Sequence, residues 1–282
     1  MMLWRDLVDL TRLNRPVGIY LVLWPTLWGL WLAAEGVPPF SVLWVFVVGT
    51  VLMRSAGCVI NDYADRHFDG HVARTCARPL VTGRVSESQA LVLFAALAGL
   101  GFAMVLTLNG LTIALSLVAL GLTALYPLMK RHTYWPQMFL GAAFAWAIPM
   151  GFGAIQAQVP VEAWWLYATT LVWALIYDTA YAMADRCDDL KVGIKSTAVL
   201  FGERVRLAIL GFQALMLVGL MVVGWRFDLG WFYAVSVVMA AALMLYHQVL
   251  LARNDPDQAF QAFLHNHWIG AVIWLGLVLE YA

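Results

Sequence analysis

A chain of 282 residues that is 63% hydrophobic and 12% charged, with 17 basic and 17 acidic side chains, is not an ordinary soluble domain, in which about a quarter of residues are charged. Its mean hydropathy of +0.78 describes an all-α, polytopic membrane protein, and residues 1–282 read as one integral-membrane domain with little length left for a soluble one. A net charge of zero carries no information about partners; the placement of the charges does. The lipid bilayer is the expected surroundings, with no nucleic-acid partner and no obligate protein partner.

The first 15 residues contain Leu3, Trp4, Leu7, Val8 and Leu10 interspersed with Arg5, Asp6, Asp9 and Arg12, the pattern of a short amphipathic helix on a membrane surface. Because a bilayer core needs about 20 apolar residues per helix, nine spans are predicted, at roughly 17–34, 40–62, 88–107, 110–128, 135–155, 163–184, 206–224, 230–251 and 264–281. Pro16, Pro38-Pro39, Asn109-Gly110, Pro136, Pro160 and Pro256 punctuate them as turn signals. The first run is long enough to span and lacks a small-residue cleavage site, so it reads as a transmembrane helix and not as a signal peptide.

Basic residues set the expected orientation. Arg5, Arg12 and Arg15 precede the first span; Arg66, Arg74, Arg78 and Arg84 follow the second; Lys130 and Arg131 follow the fourth; Arg186, Lys191, Lys195, Arg204 and Arg206 follow the sixth; Arg253 follows the eighth. With nine spans and a cytoplasmic N-terminus, all of these lie inside, leaving Arg226 outside and Arg54 within the second span. Cys58, Cys76 and Cys187 then fall on the reducing side and show no framework spacing.

Two stretches carry more carboxylates than their surroundings allow for. Asn61-Asp62-Tyr63-Ala64-Asp65-Arg66-His67-Phe68-Asp69 ends the second span and Asp185-Arg186-Cys187-Asp188-Asp189 ends the sixth; together they hold six of the 17 acidic residues. Charge at the end of a lipid-spanning helix is costly and usually functional. An offset of four spans makes the two helices run the same way, so both motifs are expected at cytoplasmic ends. Neighbours at i, i+4 share a helix face, which aligns Asn61, Asp65 and Asp69 on one helix and Asp178, Asp185 and Asp189 on the other. Oxygen donors of this kind suit Mg²⁺, which takes few protein ligands and completes its shell with water and phosphate. Arg74, Arg78, Lys130, Arg131, Lys191 and Lys195 crowd the same side, as a magnesium diphosphate requires. Arg54 within its span is either an ion-pair partner of a buried Asp or an anion-binding group. His265 and His267, at i, i+2, lie on different faces and are not read as a metal pair.

The pattern NDxxDxxxD followed by DxxxD resembles the intramembrane aromatic prenyltransferase family, and most closely its 4-hydroxybenzoate polyprenyltransferases of ubiquinone biosynthesis. The resemblance extends through Leu13-Asn14-Arg15-Pro16, Gly57-Cys58-Val59-Ile60, Arg78-Pro79-Leu80, Tyr126-Pro127-Leu128-Met129-Lys130-Arg131, Tyr177-Asp178-Thr179 and Gly193-Ile194-Lys195-Ser196-Thr197, from about residue 10 to residue 206. It implies a nine-helix fold in a bacterial inner membrane with the active site toward the cytoplasm. It implies polyprenyl diphosphate and 4-hydroxybenzoate as substrates and Mg²⁺ as cofactor. Asn61, Asp65, Asp185 and Asp189, with Asp69 a further candidate, would be the metal ligands, and Asp65, Asp185 and Lys130 the catalytic core. Arg74, Arg78 and Lys195 would bind the diphosphate, Arg54 or Arg15 the benzoate carboxylate, and Tyr126 and Asp178 would position the acceptor. Cys187 stands where a polar residue is expected in close relatives. The alternatives are another aromatic or tetrapyrrole acceptor or, in a different class, a cation-coupled transporter, whose site would lie nearer the bilayer midplane.

Overall fold

The computed structural model describes residues 3–67, 69–71 and 74–282, which leaves Phe68 of the first acidic stretch outside the described residues. The described residues form helices and no strands. In chain order they are α1 (Trp4–Thr11), α2 (Val17–Ala34), α3 (Phe40–Asp65), a 3₁₀ turn (Asp69–His71), α4 (Glu87–Val105), α5 (Gly110–His132), α6 (Pro136–Ala145), α7 (Ala147–Gln156), α8 (Val161–Val192), α9 (Thr197–Phe201), α10 (Val205–Arg226), α11 (Trp231–Leu251) and α12 (Pro256–Glu280). Eight segments are long and apolar enough to cross a membrane, with α6 and α7 together forming one of them. The sixth expected span, 163–184, falls within α8, which is 32 residues long but does not meet that apolar criterion. It carries Glu162, Asp178, Asp185, Asp188 and Asp189.

The helix ends account for the differences from the expected spans. α12 begins at Pro256, eight residues earlier than expected, because a proline at the first helical position starts a helix as well as it punctuates one. The Asp255 side chain caps it, accepting from the Asp257 amide at 2.9 Å. α8 runs on through all three acidic residues of its motif and stops at Gly193, in the left-handed region at φ 74°. The expected span 135–155 is divided at Trp146, three residues before Pro149, which has no N–H for the Ala145 carbonyl and would crowd it. α3 ends at Asp65, so Asp69 is not on the helical row with Asn61 and Asp65 as the spacing predicted; it sits in the 3₁₀ turn beyond.

α8 is the central element and packs against α6, α7, α9, α10 and α12, while α12 also lies along α2 and α11. Trp28 of α2 stacks on Trp173 of α8 with ring centroids 5.1 Å apart. Both indole N–H groups end on α12: Trp28 donates to the Gly270 carbonyl at 3.0 Å and Trp173 to Asn266 Oδ1 at 3.3 Å. Gly270 is required for that approach, because a Cβ there would come within 2.6 Å of the Trp173 ring. α1 does not lie free on a surface. Its Leu10 is fully buried with Val59, Val85 and Ala90, while Leu3 and Trp4 are exposed.

Candidate active site

The C-terminal ends of α3, α5 and α8 converge on one polar cleft. Asp65 comes from α3, Asp69 from the turn after it, Tyr126 and Lys130 from α5, and Asp178, Tyr181, Asp185 and Asp189 from α8; Arg78 and Lys195 enter from the two following loops. Asp65 and Asp69 of the first acidic stretch and Asp185 and Asp189 of the second therefore line the same space. Each loop is fastened locally. Thr75 Oγ1 donates to the Asp69 carbonyl at 2.7 Å, and the Arg78 amide donates to the Thr75 carbonyl at 3.0 Å, which aims Arg78 at the cleft. The Lys195 amide donates to the Lys130 carbonyl at 3.1 Å, tying the segment after α8 to the end of α5. Thr197, fully buried, joins its hydroxyl to that of Thr179 at 2.7 Å, and its amide donates to Gln137 Oε1 at 3.2 Å.

Several carboxylates in this region hold cations of the protein itself. Lys130 Nζ lies 3.0 Å from Asp65 Oδ2. Arg74 grips Asp185 with both arms, Nε and Nη2 each at 2.9 Å from a carboxylate oxygen. Its guanidinium also lies over the rings of Tyr181, at 4.4 Å, and Phe260, at 4.6 Å. Arg78 bridges Asp69 at 2.5 Å and Asp62 at 3.0 Å. Burial raises the Asp69 carboxyl above its ordinary range, against the opposing pull of Arg78. Lys130 also sits 5.7 Å from the Tyr126 ring centroid.

Not every predicted site residue converges. Lys195 lines the cleft, but its ammonium turns to the His132 carbonyl at 3.5 Å and the Tyr134 ring at 5.6 Å. Arg15 is exposed outside the cleft. Arg54 does not pair with a buried Asp: it donates to Cys58 Sγ, lies against Gly18 of α2, and leaves its Nε without a partner. Asn61 does not line the cleft, although its Oδ1 is buried with no hydrogen-bond partner. Two participants lacked a role in the sequence reading. Gln137 is 3% exposed and lines the cleft. Asp62 is 1% exposed and also receives Arg12 at 2.5 Å. Residues 12 and 62 have no periodic relation, so only their spatial contact reveals this pair.

The donors suit a hard divalent cation, since every candidate ligand is an oxygen and the Asn61 carbonyl is an orphaned acceptor. Among the described residues, no three of the His, Cys, Asp and Glu side chains gather tightly enough to hold a metal. The cleft carboxylates instead stand in two groups, Asp65 and Asp69 on one side and Asp178, Asp185 and Asp189 on α8. Like charges across the cleft are turned onto Lys130, Arg74 and Arg78.

Carboxylates from α3 and α8 thus share one cleft with Lys130 and Arg78, at the ends of apolar helices long enough to cross a membrane. Residues 22–270 match the UbiA prenyltransferase family, and the chain belongs to it. The chain is 63% identical over 273 residues to the 4-hydroxybenzoate octaprenyltransferase of Hydrogenovibrio crunogenus, covering 97% of this chain and 96% of the relative. The protein of the same description from Hahella chejuensis is 57% identical over 97% of this chain and 91% of its own length. In fold, a UbiA homolog from Aeropyrum pernix K1 superposes with a TM-score of 0.83 at 24% identity, covering 94% of this chain and 98% of the other. A UbiA homolog from Archaeoglobus fulgidus bound to GPP and Mg²⁺ gives 0.73 at 19% identity, covering 97% and 99%. The protein is a multi-pass membrane prenyltransferase, and the transporter alternative is set aside.

Proposed function

We propose that this protein transfers a polyprenyl group from its diphosphate to the ring of 4-hydroxybenzoate, ortho to the hydroxyl, in ubiquinone biosynthesis. The observation that carries the reading is the meeting of both acidic stretches with Lys130, Arg74 and Arg78 in one region. The names of relatives 63% and 57% identical along nearly the whole chain support the acceptor, and support octaprenyl as the donor length.

On this reading, Asp65 on α3, with Asp69 beside it, and Asp185 and Asp189 on α8 would hold Mg²⁺ from two sides of the cleft, and Asn61, which lies outside the cleft lining, would join them through its unpartnered Oδ1. When bound, the metal supplies charge neutralisation that stabilises the leaving diphosphate. Lys130 and the two arginines present N–H donors where negative charge develops as the allylic C–O bond breaks, the form of stabilisation that contributes most to such a step. Tyr126 and Tyr181 line the cleft and would shield the cationic carbon by cation–π contact. The ring carbon ortho to the phenol oxygen attacks that carbon, and the proton on it then leaves to restore aromaticity. Asp178 and Tyr126, which line the cleft, would orient the acceptor. Arg54 is favoured over the exposed Arg15 for the benzoate carboxylate, because its buried Nε has no other partner. The basic residues after alternate spans favour a cytoplasmic N-terminus and a cleft open to the cytoplasm, in a bacterial inner membrane.

The deciding experiment supplies the purified protein with octaprenyl diphosphate, 4-hydroxybenzoate and Mg²⁺. Formation of 3-octaprenyl-4-hydroxybenzoate is expected. Its absence, in preparations where a known 4-hydroxybenzoate octaprenyltransferase is active, overturns the proposal.

A further inference from the structure

Outside the carboxylates that face the cleft lies one that does not. Asp62 is 1% exposed, and its Oδ1 receives two guanidinium groups: Arg12 at 2.5 Å and Arg78 at 3.0 Å. Arg78 is also the residue that reaches Asp69 and lines the cleft. Arg12 follows the last turn of α1 and takes a left-handed backbone conformation at φ 57°, unusual for a side chain of its kind. α1 is held in place from both ends of its length. Leu10 is fully buried, and Arg84 pairs with Asp6 at 2.9 Å and Asp9 at 3.2 Å. The N-terminal helix is therefore docked so that Arg12, the residue just after it, meets a buried carboxylate one contact away from the cleft.

We propose that Arg12 is a positioning residue for the diphosphate site, acting through Asp62 on Arg78. The inference rests on the reading of the cleft as a diphosphate site. A buried carboxylate requires a cation. While Arg12 satisfies Asp62, Arg78 is not its sole counter-charge and can turn its donors to an anion in the cleft. Without Arg12, Asp62 holds Arg78 alone, and turning Arg78 away would leave a buried charge unpaired. Arg12 thus tunes affinity for the diphosphate without touching it. The sign is specific: removing Arg12 weakens anion binding, and removing Asp62 as well releases Arg78 and restores it.

The test uses the full-length protein in lipid nanodiscs and inorganic diphosphate with Mg²⁺ as the calorimetric probe. Arg12→Gln should weaken binding about tenfold, the loss expected when a charged hydrogen bond is disturbed. Arg12→Lys should fall between this variant and the unchanged protein. The double variant Arg12→Gln/Asp62→Asn should return to within about threefold of the unchanged protein, because the two positions are coupled and not additive. In turnover, Arg12→Gln should raise the KM for octaprenyl diphosphate while leaving that for 4-hydroxybenzoate unchanged. Unchanged diphosphate binding in Arg12→Gln overturns the proposal. So does a double variant weaker than the single one, the pattern of a merely structural lesion. If Arg12→Gln does not fold, the double variant still decides, since it leaves no buried charge unpaired: binding tenfold weaker there overturns the idea. If the unchanged protein binds diphosphate with this pattern but does not prenylate 4-hydroxybenzoate, the acceptor reading fails and the positioning role stands.

Discussion

Replacing Lys130 with Met removes the ammonium but keeps most of the apolar stem, so it isolates the charge. The ammonium lies 3.0 Å from Asp65 Oδ2, with side-chain exposures of 27% for Lys130 and 9% for Asp65. At an effective dielectric constant near 20, the gross attraction at that separation is about 5 kcal/mol. Most of it is offset by desolvation, leaving about 1.5–3 kcal/mol for a hydrogen bond to a charged group. Lys130→Met should therefore lower the melting temperature by several degrees in Mg²⁺-free buffer. Added Mg²⁺ should recover part of that loss, because Asp65 regains a counter-charge. Activity should not recover: losing one donor to the departing diphosphate should cut kcat by about 10²-fold or more. Thermal shift with and without Mg²⁺, paired with a radiolabelled prenyl-transfer assay, reads both effects. A variant whose kcat stays within about twofold of the unchanged protein refutes the role assigned to Lys130.

Asp65→Ala and Asp189→Ala, one from each group, should each abolish turnover while the protein still inserts and elutes as a single species; near-normal activity in either contradicts the ligand assignment. Chelation by EDTA should stop prenyl transfer, and Mg²⁺ should restore it, whereas full activity in EDTA removes the metal from the proposed chemistry. Arg54→Ala should raise the KM for 4-hydroxybenzoate more than that for the prenyl donor, and the reverse pattern, measured by initial rates, would move Arg54 to the diphosphate. Thr197→Val removes the 2.7 Å hydroxyl contact with Thr179 between α8 and α9; it should cost about 1 kcal/mol in thermal stability, and an unchanged melting temperature would show that the contact contributes little.

The apolar runs made most of the bundle legible, because a spanning helix must be long and apolar wherever lipid surrounds it. The even offset between the acidic stretches likewise placed Asp65 and Asp185 beside one cleft. What was not legible depended on where helices stop and on contacts between distant residues. Spacing alone extends the helical row from Asn61 to Asp69, and no glycine or proline between Asp65 and Asp69 marks the end of α3. Pro256 reads equally as a stop or a start until Asp255 is seen capping the next helix. Lys195 belongs to a basic cluster by composition, yet the turn after Gly193 sends its ammonium toward His132 and Tyr134. The contact of Arg12 with Asp62 spans 50 residues and follows from the docking of α1, which begins with the burial of Leu10.

The internal pairing of Asp65 with Lys130, Asp185 with Arg74 and Asp69 with Arg78 has a consequence for the end of the catalytic cycle. On the proposed reading, substrate capture is an exchange: the diphosphate and its metal would take over counter-charges that the protein's own groups hold. Part of the binding energy would go into parting those groups. After transfer, inorganic diphosphate is left without its prenyl anchor in the bilayer. The same carboxylates then compete for the lysine and the arginines, and re-formation of the three internal pairs helps expel the product. Carboxylates with cationic partners inside the protein would thus contribute to turnover by competing with the product.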